Sequence, residues 1–263
     1  RVTDMSNMFY GVYALTNLNL SNFNTSNVTN MGFMFFSMYS LTSLDLSSFD
    51  TSNVANMSYM FYGMYGLTSL NLSSFNTSHV TDMSYMFIGI SNLTSLNLSS
   101  FNTSLVTDMS FMFSGMTNLR SLNLSNFDTV NVKDMGGMFH NMKTITELNL
   151  SNFNTSNVLG MEAMFYNMTA LKTLDISNFD TSQVGSVKSI FATADGDNLE
   201  RIYVNNDFNT ACLTTYMDYT NMFTGRTKLR GGNGSYLSNP ATADLTWLRV
   251  DRPGVQGYFT RKS

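Results

Sequence analysis

Apolar residues recur along this chain with a fixed step of 26 positions, and valine marks the register at Val2, Val28, Val54, Val80, Val106, Val132, Val158 and Val184. A constant period of that length predicts stacked repeats, each touching mainly its neighbours, with function spread along a surface rather than held in one pocket. Within the unit the columns separate by chemistry. One apolar column runs Leu15, Leu41, Leu67, Leu93, Leu119, Ile145, Leu171. A second runs Leu18, Leu44, Leu70, Leu96, Leu122, Leu148, Leu174, and a third Leu20, Leu46, Leu72, Leu98, Leu124, Leu150, Ile176. Phenylalanine fills a fourth, from Phe23 to Phe179. The L-x-L core of this L-x-x-L-x-L-x-x-F unit alternates with the period of two that a half-buried strand requires.

The second half of each unit changes period. Val28, Met31, Met34, Phe35 and Met38 all fall on one face of a 3.6-residue helix, and Ser26 or Asn27 can cap it. The spacing therefore predicts helices near residues 27–38 and at 26-residue steps, with strands that run parallel because a helix joins each to the next. The expected fold class is an α/β solenoid, a leucine-rich-repeat-like right-handed superhelix with a parallel concave sheet, convex helices and a C-terminal β-hairpin cap. Residues 1–230 form the solenoid of 26-residue repeats, the last one or two irregular, and 231–263 form the β cap. The cap begins at Gly231-Gly232-Asn233-Gly234 and includes Thr246–Asp251 and Gly257–Thr260. Most of the 21 methionines sit at the inward phase of the helical half, where unbranched thioethers fill gaps against phenylalanine rings.

Composition narrows the function classes. Only 12% of residues are charged and the net charge is −4, so no basic patch invites nucleic acid. No apolar run approaches the roughly 18 residues that a membrane-spanning helix needs. Polarity comes instead from serine, threonine and asparagine, which stack on copies of themselves without the repulsion that like charges would suffer about 4.8 Å apart. The column Asn19, Asp45, Asn71, Asn97, Asn123, Asn149, Asp175 shows this, since its aspartates are never in adjacent repeats. Cys212 is the single cysteine, which excludes an internal disulfide framework and reads as a small core residue. The regular threonine column, Thr25 to Thr181, reads as turn and helix caps, with ice binding as the alternative. Tripeptides such as Asn19-Leu20-Ser21 and Asn56-Met57-Ser58 arise from the repeat itself, and glycans on neighbouring strands would collide. Arg1-Val2-Thr3-Asp4 already lies inside a repeat, so further repeats or another segment are expected before it.

The full unit, L-x-x-L-x-L-S-x-F-[ND]-T-S-x-V-x-[DN]-M-x-x-M-F, closes with the G-G-N-G turn and a terminal G-Y-F-T. Over essentially the whole chain it resembles the BspA-like leucine-rich-repeat surface proteins of bacteria. That resemblance implies a secreted or cell-surface protein, with its signal and anchor outside this chain, that adheres to host matrix proteins or to other cells. The expected function is a non-enzymatic extracellular binding or adhesion module recognising a host or cell-surface protein or glycan; the alternative is a structural, self-associating surface protein. Neither nucleic acid nor membrane insertion is expected. No enzyme is expected either. His79 and His140 stand in different repeats, and no nucleophile, paired carboxylates or ligand-spaced cluster accompanies them, so no catalytic residue, metal or cofactor is assigned.

Candidate ligand-binding residues come from the face of the helical wheel opposite the apolar one. Phe33 falls there, with equivalents Asn7, Tyr59, Tyr85, Phe111, Gly137 and Ala163, giving four successive aromatics. Phe36, with Tyr10 and Tyr62, and Tyr39, with Tyr13 and Tyr65, flank them. Either these rings form an exposed interaction patch, or they turn sideways and fill the gaps between adjacent helices. The invariant column Ser21 to Ser177 on the expected concave face carries little information for recognising an irregular epitope.

Overall fold

The computed structural model describes residues 2–263. Each 26-residue unit forms one rung lying on the next, and parallel bridges run in an unbroken series through Asp4, Asn30, Asn56, Asp82, Asp108, Asp134, Gly160 and Ser186. Short parallel strands form on the leucine side: β1 (Ser43–Leu44) pairs with β2 (Ser69–Leu70), Leu44 opposite Leu70. Toward the C-terminus β3 (Thr173–Asp175), β4 (Arg201–Val204) and β5 (Phe259–Arg261) make a three-stranded parallel sheet in that order.

The helices are not there, and the α/β solenoid with convex helices is overturned. Among the described residues the only helical pieces are three-residue 3-10 turns at Tyr216–Asp218, Pro240–Thr242 and Leu245–Trp247. Across residues 31–38 the amides alternate in direction. Those of Met31, Phe33, Phe35 and Ser37 leave the rung and donate to the carbonyls of Asn56, Ser58, Met60 and Tyr62 at 3.0, 2.9, 3.0 and 2.7 Å. Those of Met34, Phe36 and Met38 close tight turns onto the carbonyl three residues back, at 3.2, 3.1 and 3.4 Å. An α-helix needs every amide to reach four residues back and every φ near −63°. Here φ is +58° at Phe33 and +62° at Ser37. A chain of tight turns also brings residues i and i+3 to the same side, so the spacing of Met31, Met34, Phe35 and Met38 fits both structures.

A column of residues tolerant of positive φ records the difference. Gly11, Ser37, Gly63, Gly89, Gly115, Asn141 and Asn167 all lie between +56° and +73°. Glycine and asparagine enter this region at little cost, whereas glycine inside a helix is destabilising.

The expected β-hairpin cap is also corrected. β5 joins the sheet parallel to β4, and Val250 bridges Phe259 in parallel too; the antiparallel pairing is confined to the Arg252–Val255 turn. Asp251 instead organises this end by accepting from the amides of Asn233 and Ser235 at 2.7 and 2.9 Å and from the Ser235 hydroxyl at 2.7 Å. Tyr258 packs between Phe223 and Trp247, its ring centroid 4.7 Å from each. Arg226 is buried beneath, paired with Asp197 at 3.2 Å.

Two ladders hold the interior. Phe9, Phe35, Phe61, Phe87, Phe113, Phe139, Phe165, Phe191 and Phe223 stack in sequence with centroids 5.4–6.2 Å apart, embedded in methionine and leucine. The threonine column forms the second, and it neither caps helices nor faces water. Each hydroxyl is buried and spans two rungs: Thr103 donates to the Asp128 carbonyl at 2.8 Å and accepts from the Asp128 amide at 2.8 Å. The same pair of bonds recurs from Thr25 to Thr155.

The leucine columns differ in depth. Leu98 is buried, but Leu96 is only partly so. Leu98→Ala should therefore cost about 2–5 kcal/mol and Leu96→Ala measurably less in denaturant melts. Thr103→Val, nearly the same shape, should cost about 1–3 kcal/mol for each backbone group left unpaired. Far-UV circular dichroism should lack the double minimum of α-helix.

Candidate interaction surface

The sequence-predicted residues come together, though on turns rather than helices. Phe33, Tyr59, Tyr85 and Phe111 stack face to face at 4.3, 4.4 and 5.0 Å. Tyr10, Phe36 and Tyr62 form a second ladder at 4.6 and 4.5 Å. The two interlock, with Phe33 5.7 Å from Phe36 and Tyr59 5.8 Å from Tyr62. A third ladder, Tyr13, Tyr39 and Tyr65, stacks at 5.0 and 5.1 Å and is the most exposed, its rings 40–53% accessible. Tyr39 and Tyr65 lie against Gly63 and Gly89, where a Cβ would meet their rings at 3.5 and 3.0 Å. Phe33, Phe36, Tyr59, Tyr62, Tyr85 and Phe111 are half-buried. Rungs about 4.8 Å apart hold identical rings within stacking distance, so the rings pack on one another and remain partly exposed, between stacked turns rather than between helices.

The backbone beneath is unusual for such side chains. Phe33, Tyr59, Tyr85 and Phe111 have φ of 58°, 57°, 59° and 53°. That region costs an L-residue roughly 1–2 kcal/mol, comparable with the roughly 0.5–1.5 kcal/mol that an aromatic pair gains beyond burial. Asn7, Gly137, Ala163, Ser189 and Asn221 take the same φ with small side chains. The turn therefore does not require a ring, and the aromatics are confined to consecutive rungs of the N-terminal half. Phe111 ends the ladder lying across Gly137, where an added Cβ would stand 2.3 Å from the ring.

Beside the rings runs a feature that the sequence reading passed over. In the bridging column Asp82, Asp108 and Asp134 occupy three adjacent rungs, with Glu162 close to Asp134 across Gly136. Each aspartate uses Oδ1 to accept the amide two residues on, from Ser84 at 2.9 Å, Ser110 at 2.8 Å and Gly136 at 2.8 Å. Asp134 has its pKa raised by desolvation and, further, by Asp108 and Glu162. Tyr59 is pushed up to about 12 by desolvation first, then by Tyr85 and Asp82. The signal was available in sequence as the one asparagine/aspartate column where aspartates follow one another.

The other candidates separate. His79 contacts the Ser52 carbonyl through Nδ1 at 2.8 Å, whereas His140 stacks on Tyr166 at 4.9 Å, its pKa lowered by burial. Cys212 is exposed rather than a core residue. Among the described residues no group of His, Cys, Asp or Glu converges to hold a metal ion, and no helix is long and apolar enough to cross a membrane.

Rungs joined by backbone ladders, with a phenylalanine stack inside and aromatic ladders outside, define a stacked-repeat protein. The chain belongs to the family described as "Mycoplasma protein of unknown function, DUF285", whose model matches residues 1–96, 64–148, 82–203 and 140–239. No curated protein matches it. Among solved structures it is similar to the functional domain of InlJ from Listeria monocytogenes, which includes a cysteine ladder, at 12% identity and a TM-score of 0.19. The match covers 73% of this chain and 57% of that one, so the chain spans little more than half of that structure's length.

Tyr59 should ionise late in a spectrophotometric titration, near pH 12. Because its folded pKa lies above the ordinary tyrosine value of 10.0, the stability it contributes is intact below about pH 10 and lost as pH rises toward 12. Tyr59→Phe should lessen the alkaline loss of stability over that window in melts followed by circular dichroism.

Proposed function

We propose that this chain is a non-enzymatic binding module of an extracellular, surface-attached protein of the BspA-like kind, and that it binds a host or cell-surface partner through the aromatic ladders. The observation that carries this reading is the placing of Phe33, Tyr59, Tyr85 and Phe111 at positive φ, in a column where other rungs use asparagine, glycine, alanine or serine. Rings unnecessary to the turn, and adjoining the exposed Tyr13, Tyr39 and Tyr65, supply contact area to a partner. Their mutual stacking favours a protein partner over a glycan, since a sugar packs on a free ring face and these faces are taken up by neighbouring rings. The stacked-repeat fold, membership of the DUF285 family and the resemblance of the repeat unit to BspA-like surface proteins support the same reading. No cofactor enters it.

The test replaces Phe33, Tyr59, Tyr85 and Phe111 together with serine, the residue that already holds this turn at Ser189. Binding to host cells and immobilised matrix proteins should fall to background, while melting shows a folded protein with modestly reduced stability. Undiminished binding by the folded variant would refute the assignment. Light scattering on both proteins tests the structural alternative: concentration-dependent assembly of the parent that the variant loses would make the rings a self-association surface.

A further inference from the structure

Like charges are kept apart along this stack, with one exception. In the column Asn19 to Asp175, and again in Asn24, Asp50, Asn76, Asn102, Asp128, Asn154, Asp180, no two aspartates occupy adjacent rungs. Asparagine makes the same turn there, its Oδ1 accepting the amide two residues on at 3.0–3.1 Å, so the fold does not need the charge. The bridging column departs from this arrangement only at Asp82, Asp108 and Asp134. Parallel pairing sets those carboxylates about one strand spacing apart, roughly 4.8 Å, where like charges repel.

No ion pair compensates them among the described residues, although Lys133 directly precedes Asp134 in the chain. No lysine or arginine occurs between Arg1 and Arg120, the stretch that carries every ring of the three ladders. The ion pairs among the described residues join Lys143 to Asp195, Arg226 to Asp197, Arg252 to Asp207 and Lys262 to Asp175, none of them in this column. Each Oδ1 is committed to its own turn, and Oδ2 of Asp82, Asp108 and Asp134 has no hydrogen-bond partner among the described residues. The carboxylates are too spread along the stack to enclose a metal ion. They adjoin the aromatic ladders: Asp82 and Asp108 accept from the amides of Ser84 and Ser110, the residues directly before Tyr85 and Phe111, and the Phe111 ring lies across Gly137 beside Gly136, which stands against the Asp134 carboxylate.

We propose that the aromatic face docks an arginine-bearing, cationic polypeptide segment running along the stack, with the carboxylates of Asp82, Asp108 and Asp134 as its anionic contacts. The inference rests on the binding reading above and names its partner by chemistry. An arginine suits both halves of the surface: its methylene stem packs on ring edges while the guanidinium donates two parallel bonds to a carboxylate. Lysine, a point charge without the planar fork, fits less well. An anionic partner is repelled.

Asparagine supplies a conservative test, because Asn30 and Asn56 already occupy this column and Asn30 makes the same turn to Gly32. The D82N/D108N/D134N variant is compared with D45N/D50N/D128N, which removes equal charge from columns where asparagine is the common residue. A fluorescently labelled hexa-arginine peptide is titrated with each protein and followed by anisotropy, with hexalysine and hexaglutamate alongside. Hexa-arginine should bind the parent and the control variant alike, more tightly than hexalysine, weakening as salt is raised. The bridging-column variant should bind at least about tenfold more weakly and melt no lower than the parent. Equal weakening in both variants would reduce the effect to overall acidity and overturn the proposal, as would unaltered binding in the bridging-column variant or no binding of hexa-arginine by the parent. If the asparagine variant keeps its attachment to cells while the serine ring variant loses it, the binding reading stands and the cationic partner falls. Loss of hexa-arginine binding in the asparagine variant, with cell attachment undiminished in the ring variant, would reject the aromatic face itself.

Discussion

Every second amide in the latter half of each rung points along the stack to a carbonyl of the next rung, and the rest of the structure depends on that direction. A backbone that sends alternate amides outward must turn between them. The turns require positive φ at two columns, one filled by glycine, serine and asparagine, the other by whatever the surface needs. Because each rung is hydrogen-bonded to the next at a fixed spacing, any side chain repeated in a column meets its own copy. Phenylalanine then becomes a continuous stack and threonine a continuous hydrogen-bonded seam.

The same constraint governs polarity. Stacking favours residues whose copies attract or ignore one another, and asparagine followed two residues later by serine satisfies an amide within its own rung. Most of the polar residues are thereby structural, which explains how a protein with few charges presents a hydrophilic surface. It also gives departures from the pattern their meaning. Rings on strained backbone and aspartates stacked on aspartates are costs that the fold does not demand, and both fall in one region of the surface.

The candidate site was half legible beforehand. Counting columns placed Phe33, Tyr59, Tyr85 and Phe111 together away from the core, and a helical wheel and a chain of turns agree on that because both return every third residue to the same side. What the rings do with one another was not legible, since whether neighbours stack or splay depends on the inter-rung spacing. The aspartate column stood in plain view as letters, but its significance required knowing that residues 82, 108 and 134 bridge one another directly.

From the sequence alone follow the period and the inward columns, because hydrophobic spacing reports which side chains leave water; the parallel course, expected from helices that are absent, arises instead from rungs stacking in register. Spacing does not report where an amide finds its acceptor. A methionine at i, i+3 and i+7 is buried equally well by a helix that satisfies its amides internally and by a ribbon that hands them to the next rung. The column of glycine and asparagine at Gly63, Gly89 and Asn141 weighed against the helix, yet only the tertiary arrangement, with a neighbouring rung present to accept the bonds, made the ribbon the solution. That choice depends on contacts between residues 25 positions apart, which no local pattern contains.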